Sequence, residues 1–406
     1  MTKGANNLKR RSFLKIGAAG LAGLCVKPAV SSQQEAPSTA QTTKPQKFIY
    51  RTLGKTGIKL PVVSLGVMNS DNPNLVRAAL DKGIVLLDTA HSYQRGTNEG
   101  MIGEVIKGRP RDSFVIATKI PGDPRDRKTG DFSPETTGEK FLEKFNVSLQ
   151  RLGLDYVDIL NLHNVLKRGQ VLYEPLLKAL ETAKKQGKAR FIGVTTHGNE
   201  PEVIRAAIEG KVHDVVLTAY NFRQDHREEV RKAIAEATQA GLGIIAMKTL
   251  AGVYWDKEKQ RPINTKAALK WVLNDPNVTT AIPGCTTFDQ MDEDLSVMED
   301  LTLTEQEKQD LELEVARGGL YCQGCQMCLS SCKGDLPIPS LMRSYMYAYG
   351  YRNLPEAYEL LISLSLPEAP CQTCNPCTVW CAKGFDVADR VKDIVRLQNV
   401  PAEFLA

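Results

Sequence analysis

Eight short β-branched runs alternating with amphipathic helical stretches, no Gly-x-Gly-x-x-Gly turn after the first of them, and two cysteine-rich runs beyond the last together predict an α/β chain. The expected fold is a closed (β/α)8 TIM barrel followed by a small, mainly helical C-terminal domain. Eight strand–helix units within roughly 240 residues match such a barrel in size and count. An open doubly wound sheet is the competing arrangement, and it calls for the glycine-rich turn that this chain lacks.

The strands are expected at Val62–Met68, Val85–Ala90, Ser113–Ile120, Val157–His163, Phe191–His197, Val215–Asn221, Leu242–Lys248 and Val278–Gly284. Their β-branched content and short length mark them as buried parallel strands. Between them the 3.6-residue period predicts helices at Pro134–Leu152, Tyr173–Gln186, Glu200–Glu209, Arg227–Ala240 and Thr265–Asn274, with Gly153, Gly187, Gly210 and Gly241 at or near their C-terminal ends. Ahead of the barrel, Ile49–Leu53 and Lys59–Val62 flank the turn Gly54-Lys55-Thr56-Gly57, a hairpin expected to plug the barrel's bottom. Beyond Thr304 the alternation stops, and Ile338–Tyr349 and Glu356–Leu364 are helical in period.

At the N-terminus, Lys9-Arg10-Arg11-Ser12-Phe13-Leu14-Lys15 precedes a Gly- and Ala-rich apolar stretch, Ile16–Val26, too short to span a bilayer. This reads as a twin-arginine export signal, so the protein is expected in the periplasm or otherwise exported. The competing reading is a basic tail before a buried helix. Cleavage is expected after Ala29-Val30-Ser31, followed by a disordered tether rich in Ser, Gln, Thr and Pro. Lipidation at Cys25 is not expected, because Leu24 stands where a small residue belongs. The domains are therefore expected at 1–31 (signal), 32–47 (linker), 48–304 (barrel) and 305–406 (C-terminal domain). Of the net charge of +5, six cations (Lys3, Lys9, Arg10, Arg11, Lys15, Lys27) precede the first acid, Glu35. The exported part is near neutral, which excludes a nucleic-acid-binding surface of the usual basic kind. No other stretch is apolar enough to be integral to a membrane.

Cys322, Cys325, Cys328, Cys332 and Cys371, Cys374, Cys377, Cys381 repeat one spacing, C-x2-C-x2-C-x3-C. That spacing predicts two [4Fe–4S] clusters in a ferredoxin-like arrangement, with the fourth cysteine of each run ligating the other cluster. Cys322, Cys325 and Cys328 then pair with Cys381, and Cys371, Cys374 and Cys377 with Cys332. Zinc sites or disulfides are the alternatives, but zinc sets come as two separated pairs, and disulfides leave the repeat unexplained. Lys333 and Ala382 stand where proline often follows the fourth cysteine.

In a (β/α)8 barrel the chemistry sits where strands end. Asp88, Tyr93, Lys119 and His163 fall at or just beyond three successive strand ends. A carbonyl accepting hydride becomes an alkoxide that needs a proton. A phenol beside an ammonium can supply one, with a carboxylate holding the ammonium and an imidazole steering the oxygen. An ion pair capping the barrel with two polar rim residues is the plainer reading. In the stretch Leu87-Asp88-Thr89-Ala90-His91-Ser92-Tyr93, with Thr118-Lys119 and Leu162-His163, the chain resembles the aldo-keto reductase family over about residues 48 to 300. The resemblance implies a catalytic tetrad of Asp88, Tyr93, Lys119 and His163 and a nicotinamide dinucleotide, NAD(P)H, held near Thr195, Thr196, Gly284, Glu293 and Asp294.

The nucleotide pattern is altered. Gly284 and Gln290 replace cations that grip the 2′-phosphate in the family, Cys285 a serine, Leu217 a glutamine, and Met247, followed by Lys248, a stacking aromatic. The implied function is an exported oxidoreductase acting on a small-molecule carbonyl or alcohol, with clusters for electron transfer or structural support and a redox partner protein to exchange with. Hydride carries two electrons and a cluster one, and the sequence shows no flavin motif to split the pair. The alternative is a non-catalytic iron–sulfur electron-transfer or binding subunit on a barrel scaffold. His197 is a further candidate at the mouth, while the charged loops Gly122–Phe132 and Val165–Leu172 read equally as pocket walls or solvated loops.

Overall fold

The computed structural model describes residues 47–405 apart from 127–128, 253–261, 317–318, 368, 372–373 and 375. The expected export signal, its cleavage point, Cys25 and nearly all of the tether lie outside the described residues.

A hairpin comes first: β1 (Tyr50–Thr52) pairs antiparallel with β2 (Lys59–Pro61), Tyr50 opposite Pro61. Its turn abuts the start of a later strand, where Lys55 N donates to Gly241 O (3.0 Å) and a Cβ on Gly54 would lie 2.4 Å from Gly243 N. Gly54, at φ +49, is thus fixed both by its left-handed backbone and by lack of room. Leu53, Ile58 and Leu60 fill the lower end of the barrel with Leu86, Ile159 and Leu217.

Among the described residues, eight parallel strands follow in sequence order. They are β3 (Leu65–Gly66), β4 (Leu86–Asp88), β5 (Val115–Pro121), β6 (Val157–His163), β7 (Ala189–Thr196), β8 (Val215–Ala219), β9 (Gly243–Met247) and β10 (Thr280–Ala281). A parallel bridge between Val63 and Ala281, with Ser64 N to Ala281 O at 2.8 Å, joins the first edge to the last. The first and last strands are shorter than the sequence predicts. Val62 donates to Ile49 of the hairpin, and Pro283 has no N–H to extend the ladder.

Helices cover the outside: α1 (Pro73–Asp81), α2 (Thr97–Ile106), α3 (Gly138–Leu152), the single turn α4 (Arg168–Val171), α5 (Glu174–Lys185), α6 (Glu200–Gly210), α7 (Arg227–Gln239), α8 (Thr265–Leu273) and α9 (Phe288–Ser296). α3 begins later than expected, because Thr137 caps it by accepting from Lys140 N (3.3 Å). At the end of α6 the left-handed residue is Lys211 (φ 54) and not the expected Gly210.

α10 (Glu305–Ala316), numbered by sequence with the C-terminal domain, packs on the barrel. Leu311 joins Ala267 and Ala268 of α8, and Lys270 Nζ lies 2.9 Å from Glu307 Oε1. The two cysteine runs then frame α11 (Ile338–Tyr349) and α12 (Leu354–Ser363), and α13 (Val387–Val395) follows, a helix the sequence reading did not include. These three enclose a second apolar core around Leu341, Met342, Leu361, Val391 and Ile394. That core covers the barrel's C-terminal mouth. Asn221 Nδ2 donates to Gln323 Oε1 (3.1 Å), Gln323 Nε2 to Ala251 O (3.2 Å), and Asn353 Nδ2 to Asn69 Oδ1 (2.9 Å). No described helix is long and apolar enough to cross a membrane.

Candidate active site at the mouth of the barrel

Strand alternation aims the site. Successive side chains of a strand point to opposite faces. Leu86 of β4, Val115 and Ala117 of β5 and Ile159 of β6 fill the barrel interior. Residues of the same parity one layer higher, Asp88, Lys119, Asn161 and His163, therefore point inward at the mouth. Register brings them level, with Asp88 beside Ala117, Lys119 beside Asn161 and Pro121 beside His163. Tyr93 arrives from the loop after β4, where its N–H bonds Ala90 O (3.1 Å), and Gln94 and Arg95 follow at positive φ.

Lys119 is the hub. Its ammonium pairs with Asp88 Oδ1, donates to Thr89 O (2.7 Å) and donates to the Tyr93 hydroxyl (3.1 Å). Asp88 and Lys119 are 1 % exposed, so the pair is cut off from water. His163 presents its ring edge-on to Tyr93, centroids 6.0 Å apart at 78°. Burial holds the Tyr93 phenol well above its usual value, reinforced by Asp88, while Arg343 is the cation that opposes the rise. The activation of phenolate expected from the ammonium is thus outweighed by desolvation, and the phenol rests protonated. Burial first, then the charge of Lys119, drives the His163 imidazole well below its usual value, so it stays neutral. Asn161 lies among these groups with both carboxamide atoms unpaired.

A cavity of about 350 Å³ runs from Asp88 and Tyr93, past His197, Met247 and Lys248, to Gly284 ahead of α9 and to Glu293 and Asp294 within it. It thus holds three of the five expected nucleotide residues. The other two are elsewhere: Thr195 and Thr196 are fully buried, with Thr195 Oγ1 accepting from Asn164 N (2.8 Å) and Thr196 Oγ1 donating to Gly198 O (2.6 Å). Their hydroxyls are spent on shaping the loops after β6 and β7. Glu293 accepts from Thr265 Oγ1 (2.5 Å), and burial pushes the Asp294 carboxyl up to about 8. Cys285 is 1 % exposed, its thiol pushed up to about 12 by burial, and Gln290 Oε1 accepts from Thr286 N (2.9 Å). Leu217 sits in the barrel interior, away from the cavity.

The sequence reading gave no role to the residues that the C-terminal segment adds. Gly350, Tyr351 and Arg352 line the cavity opposite Gly284. Tyr347 of α11 accepts a hydrogen bond from Lys248 Nζ (3.3 Å), and Arg343 Nη2 donates to Asn164 Oδ1 (3.2 Å). One signal was present: Arg343 is the only charged residue in α11, which otherwise reads as a buried helix.

Sulfur groups gather in two further cavities. One is lined by Cys322, Cys325, Cys328 and Cys381 and encloses about 20 Å³, and the other by Cys332, Cys371, Cys374 and Cys377 with about 250 Å³. Both draw three cysteines from one run and the fourth from the other. Burial, followed by the neighbouring cysteines, raises the Cys371 thiol, and burial pushes Cys322 up to about 12. Among the described residues no three His, Cys, Asp or Glu side chains converge tightly enough to hold a single metal ion.

Residues 64–267 match the family described as "Aldo/keto reductase family". The matched segment ends before the first cysteine run. The chain is 24 % identical over 329 residues to an L-glyceraldehyde 3-phosphate reductase of Escherichia coli O157:H7, covering 67 % of this chain and 93 % of that protein. It is 27 % identical over 298 residues to an L-galactose dehydrogenase of Arabidopsis thaliana, covering 63 % and 89 %. Among solved structures, an aldo-keto reductase of Bacillus halodurans in its holo form superposes with a TM-score of 0.54 at 24 % identity, covering 66 % of this chain and 96 % of that one. That last likeness speaks for the barrel fold alone.

Proposed function

The chain belongs to the aldo/keto reductase family and is an oxidoreductase, and from that premise we propose that it interconverts a carbonyl and an alcohol at Tyr93, with Lys119, Asp88 and His163. The observation that carries this is the Lys119 ammonium set between the Asp88 carboxylate and the Tyr93 hydroxyl in a water-poor pocket. Tyr93, held protonated, donates to the oxygen of a substrate carbonyl as negative charge builds there. Lys119 then faces the phenolate it leaves behind and stabilises it more strongly than water would. Asp88 keeps that ammonium in place, and neutral His163 steers the carbonyl oxygen through a ring N–H.

The cavity reaching Gly284 and Asp294 suits a nicotinamide dinucleotide, which when bound supplies or accepts the hydride. Gln290, turned back onto Thr286, offers no cation to a 2′-phosphate, so NAD(H) is the form we favour over NADP(H). The donor sets suit two [4Fe–4S] clusters, which supply one-electron transfer. Eight thiols fall into the crossed groups that the spacing rule requires. The smaller of the two spaces must widen to admit a cluster. We extend the proposal to export by the twin-arginine route on the strength of Arg10-Arg11 and the apolar stretch after it.

One sample tests the main reading: iron and sulfide are counted on purified protein, which is then titrated with NADH and assayed on an aldehyde panel. Binding together with turnover that Tyr93→Phe abolishes is the expected result. The buried hydroxyls of Thr195 and Thr196 favour a second reading, a barrel without nicotinamide that serves as an electron-transfer or binding subunit. No NADH binding at millimolar concentration would establish it over the first. Exchange of Arg10 and Arg11 for lysine, with the protein then retained in the cytoplasm, tests export.

A further inference from the structure

Arg343 reaches from α11 into the barrel mouth and is 8 % exposed. Its Nη2 has Asn164 Oδ1, but its Nε is buried with no partner. Among the described residues Lys248, turned by a positive φ of 57° just after β9, has the neutral Tyr347 hydroxyl and the faces of Tyr347 and Tyr351, at 4.3 and 4.8 Å, as its close partners. His197 leaves Nδ1 buried and unpaired. Lys248 and His197 line both the cavity that contains Tyr93 and the smaller one that Arg343 lines, so the two cavities adjoin at these residues, and Arg343 is close enough to act electrostatically on the Tyr93 phenol.

The local charges do not balance. Lys119 and Asp88 answer each other, and Arg125 has Asp123 and Asp131 nearby. Lys248, whose ammonium burial lowers to about 7, and Glu356 of α12, whose carboxyl burial lifts to about 7, act on each other, which leaves the Arg343 charge unanswered. Among the described residues Glu356 makes no ion pair, and its Oε2 is buried without a partner. Neither cation has a carboxylate within ion-pair distance among the described residues, and a buried charge without a partner is costly. An arginine fork with a free N–H, flanked by an ammonium, is the donor set that a carboxylate fits.

We propose that the site takes a substrate bearing a carboxylate beside its reacting carbon, with Arg343 and Lys248 holding the anion and Tyr93 facing the carbonyl. This rests on the reading of Tyr93 as proton donor. It makes the C-terminal segment part of the substrate site, because Arg343 belongs to α11 and not to the barrel.

The test uses full-length, iron-loaded protein and two probes, phenylglyoxylate and its methyl ester, which share a carbonyl and differ in charge. Calorimetry on the Tyr93→Phe variant reads binding without turnover. The acid is expected to bind roughly ten- to hundredfold tighter than the ester, the equivalent of one buried charge-assisted hydrogen bond. Arg343→Met should erase that preference, Arg343→Lys should keep part of it, and Lys248→Met should reduce it, with visible absorption and circular dichroism confirming that each variant folds. Equal binding of acid and ester overturns the proposal, as does a preference that survives both Arg343→Met and Lys248→Met. So does a loss in Arg343→Met that falls on NADH affinity, which would make a dinucleotide phosphate the anion. A change confined to the cluster absorption would make the nearby Cys322 thiolate the partner of Arg343, and it also overturns the proposal. Wild-type protein that prefers the acid in binding yet reduces neither probe would defeat the Tyr93 reading and leave this one standing. Reduction of both with equal kcat/KM would do the reverse.

Discussion

Lys119 carries two obligations, and removing it should show both. Lys119→Met leaves Asp88 buried without its countercharge, which costs about 3–5 kcal/mol in comparable pairs. Urea unfolding of Lys119→Met should show a loss of that order, and Asp88→Asn on the same background should recover most of it. Recovery of stability without recovery of turnover separates the structural role from the catalytic one. A second residue is informative because it lies far from the mouth: His213 is 6 % exposed with both ring nitrogens unpaired, and burial lowers it to about 4 from its usual 6.5. The unfolded chain therefore binds more protons between about pH 4 and 6.5, so stability falls as pH drops through that window and is unaffected above it. His213→Leu should flatten that part of the profile of melting temperature against pH, and an unchanged slope would show that His213 is not a source of it. At this scale the sequence was readable where chain position decides placement. Asp88, Lys119 and His163 follow from strand ends, whereas Thr195 and Thr196 looked available because the hydrogen bonds that occupy them involve Asn164 and Gly198, whose placement depends on loop shape.

At the scale of elements, the short β-branched runs and the 3.6-residue period located β6 (Val157–His163) and α11 (Ile338–Tyr349) to the residue. They were less exact where caps decide. α3 waits for Thr137, and α6 ends on a lysine held in a left-handed conformation that its sequence neighbour Gly210 appeared better suited to take. Lys211 is exposed and held at a positive φ that glycine takes without strain, so Lys211→Gly should stabilise the protein by about 1 kcal/mol. Chemical denaturation checks this, and a destabilised variant would mean that the lysine contributes contacts of its own. α13 escaped the reading although Val387, Val391 and Ile394 form its buried stripe, because nine residues carry too few repeats to stand out beside a cysteine run.

For the molecule as a whole, the sequence disclosed two parts but not that one roofs the other. Two of the contacts that seat the second core on the barrel mouth, Gln323 to Asn221 and Asn353 to Asn69, are single amide pairs between loops, which leave no periodic trace. The seating matters because α11 lies between the two cysteine runs, and each thiol-lined cavity draws on both. Crossed ligation would close the chain from Cys332 to Cys371 on one side and from Cys328 to Cys381 on the other, fixing the helices that carry Arg343 and Tyr347. A cross-link of this kind contributes folding free energy through the metal itself. The crossing has a specific consequence for single substitutions. Cys332→Ser should lose the same cluster as Cys371→Ser, and Cys381→Ser the same as Cys322→Ser, read as which of two signals disappears from the electron paramagnetic resonance spectrum of the reduced protein. Were Cys332→Ser instead to match Cys322→Ser, each run would ligate its own cluster. The helices between the runs would then hang from the barrel mouth by side-chain contacts alone, and removing iron would leave Arg343 where it is. With crossed ligation, iron removal should release α11 and expose the loop after it to protease, while the barrel core keeps its circular dichroism.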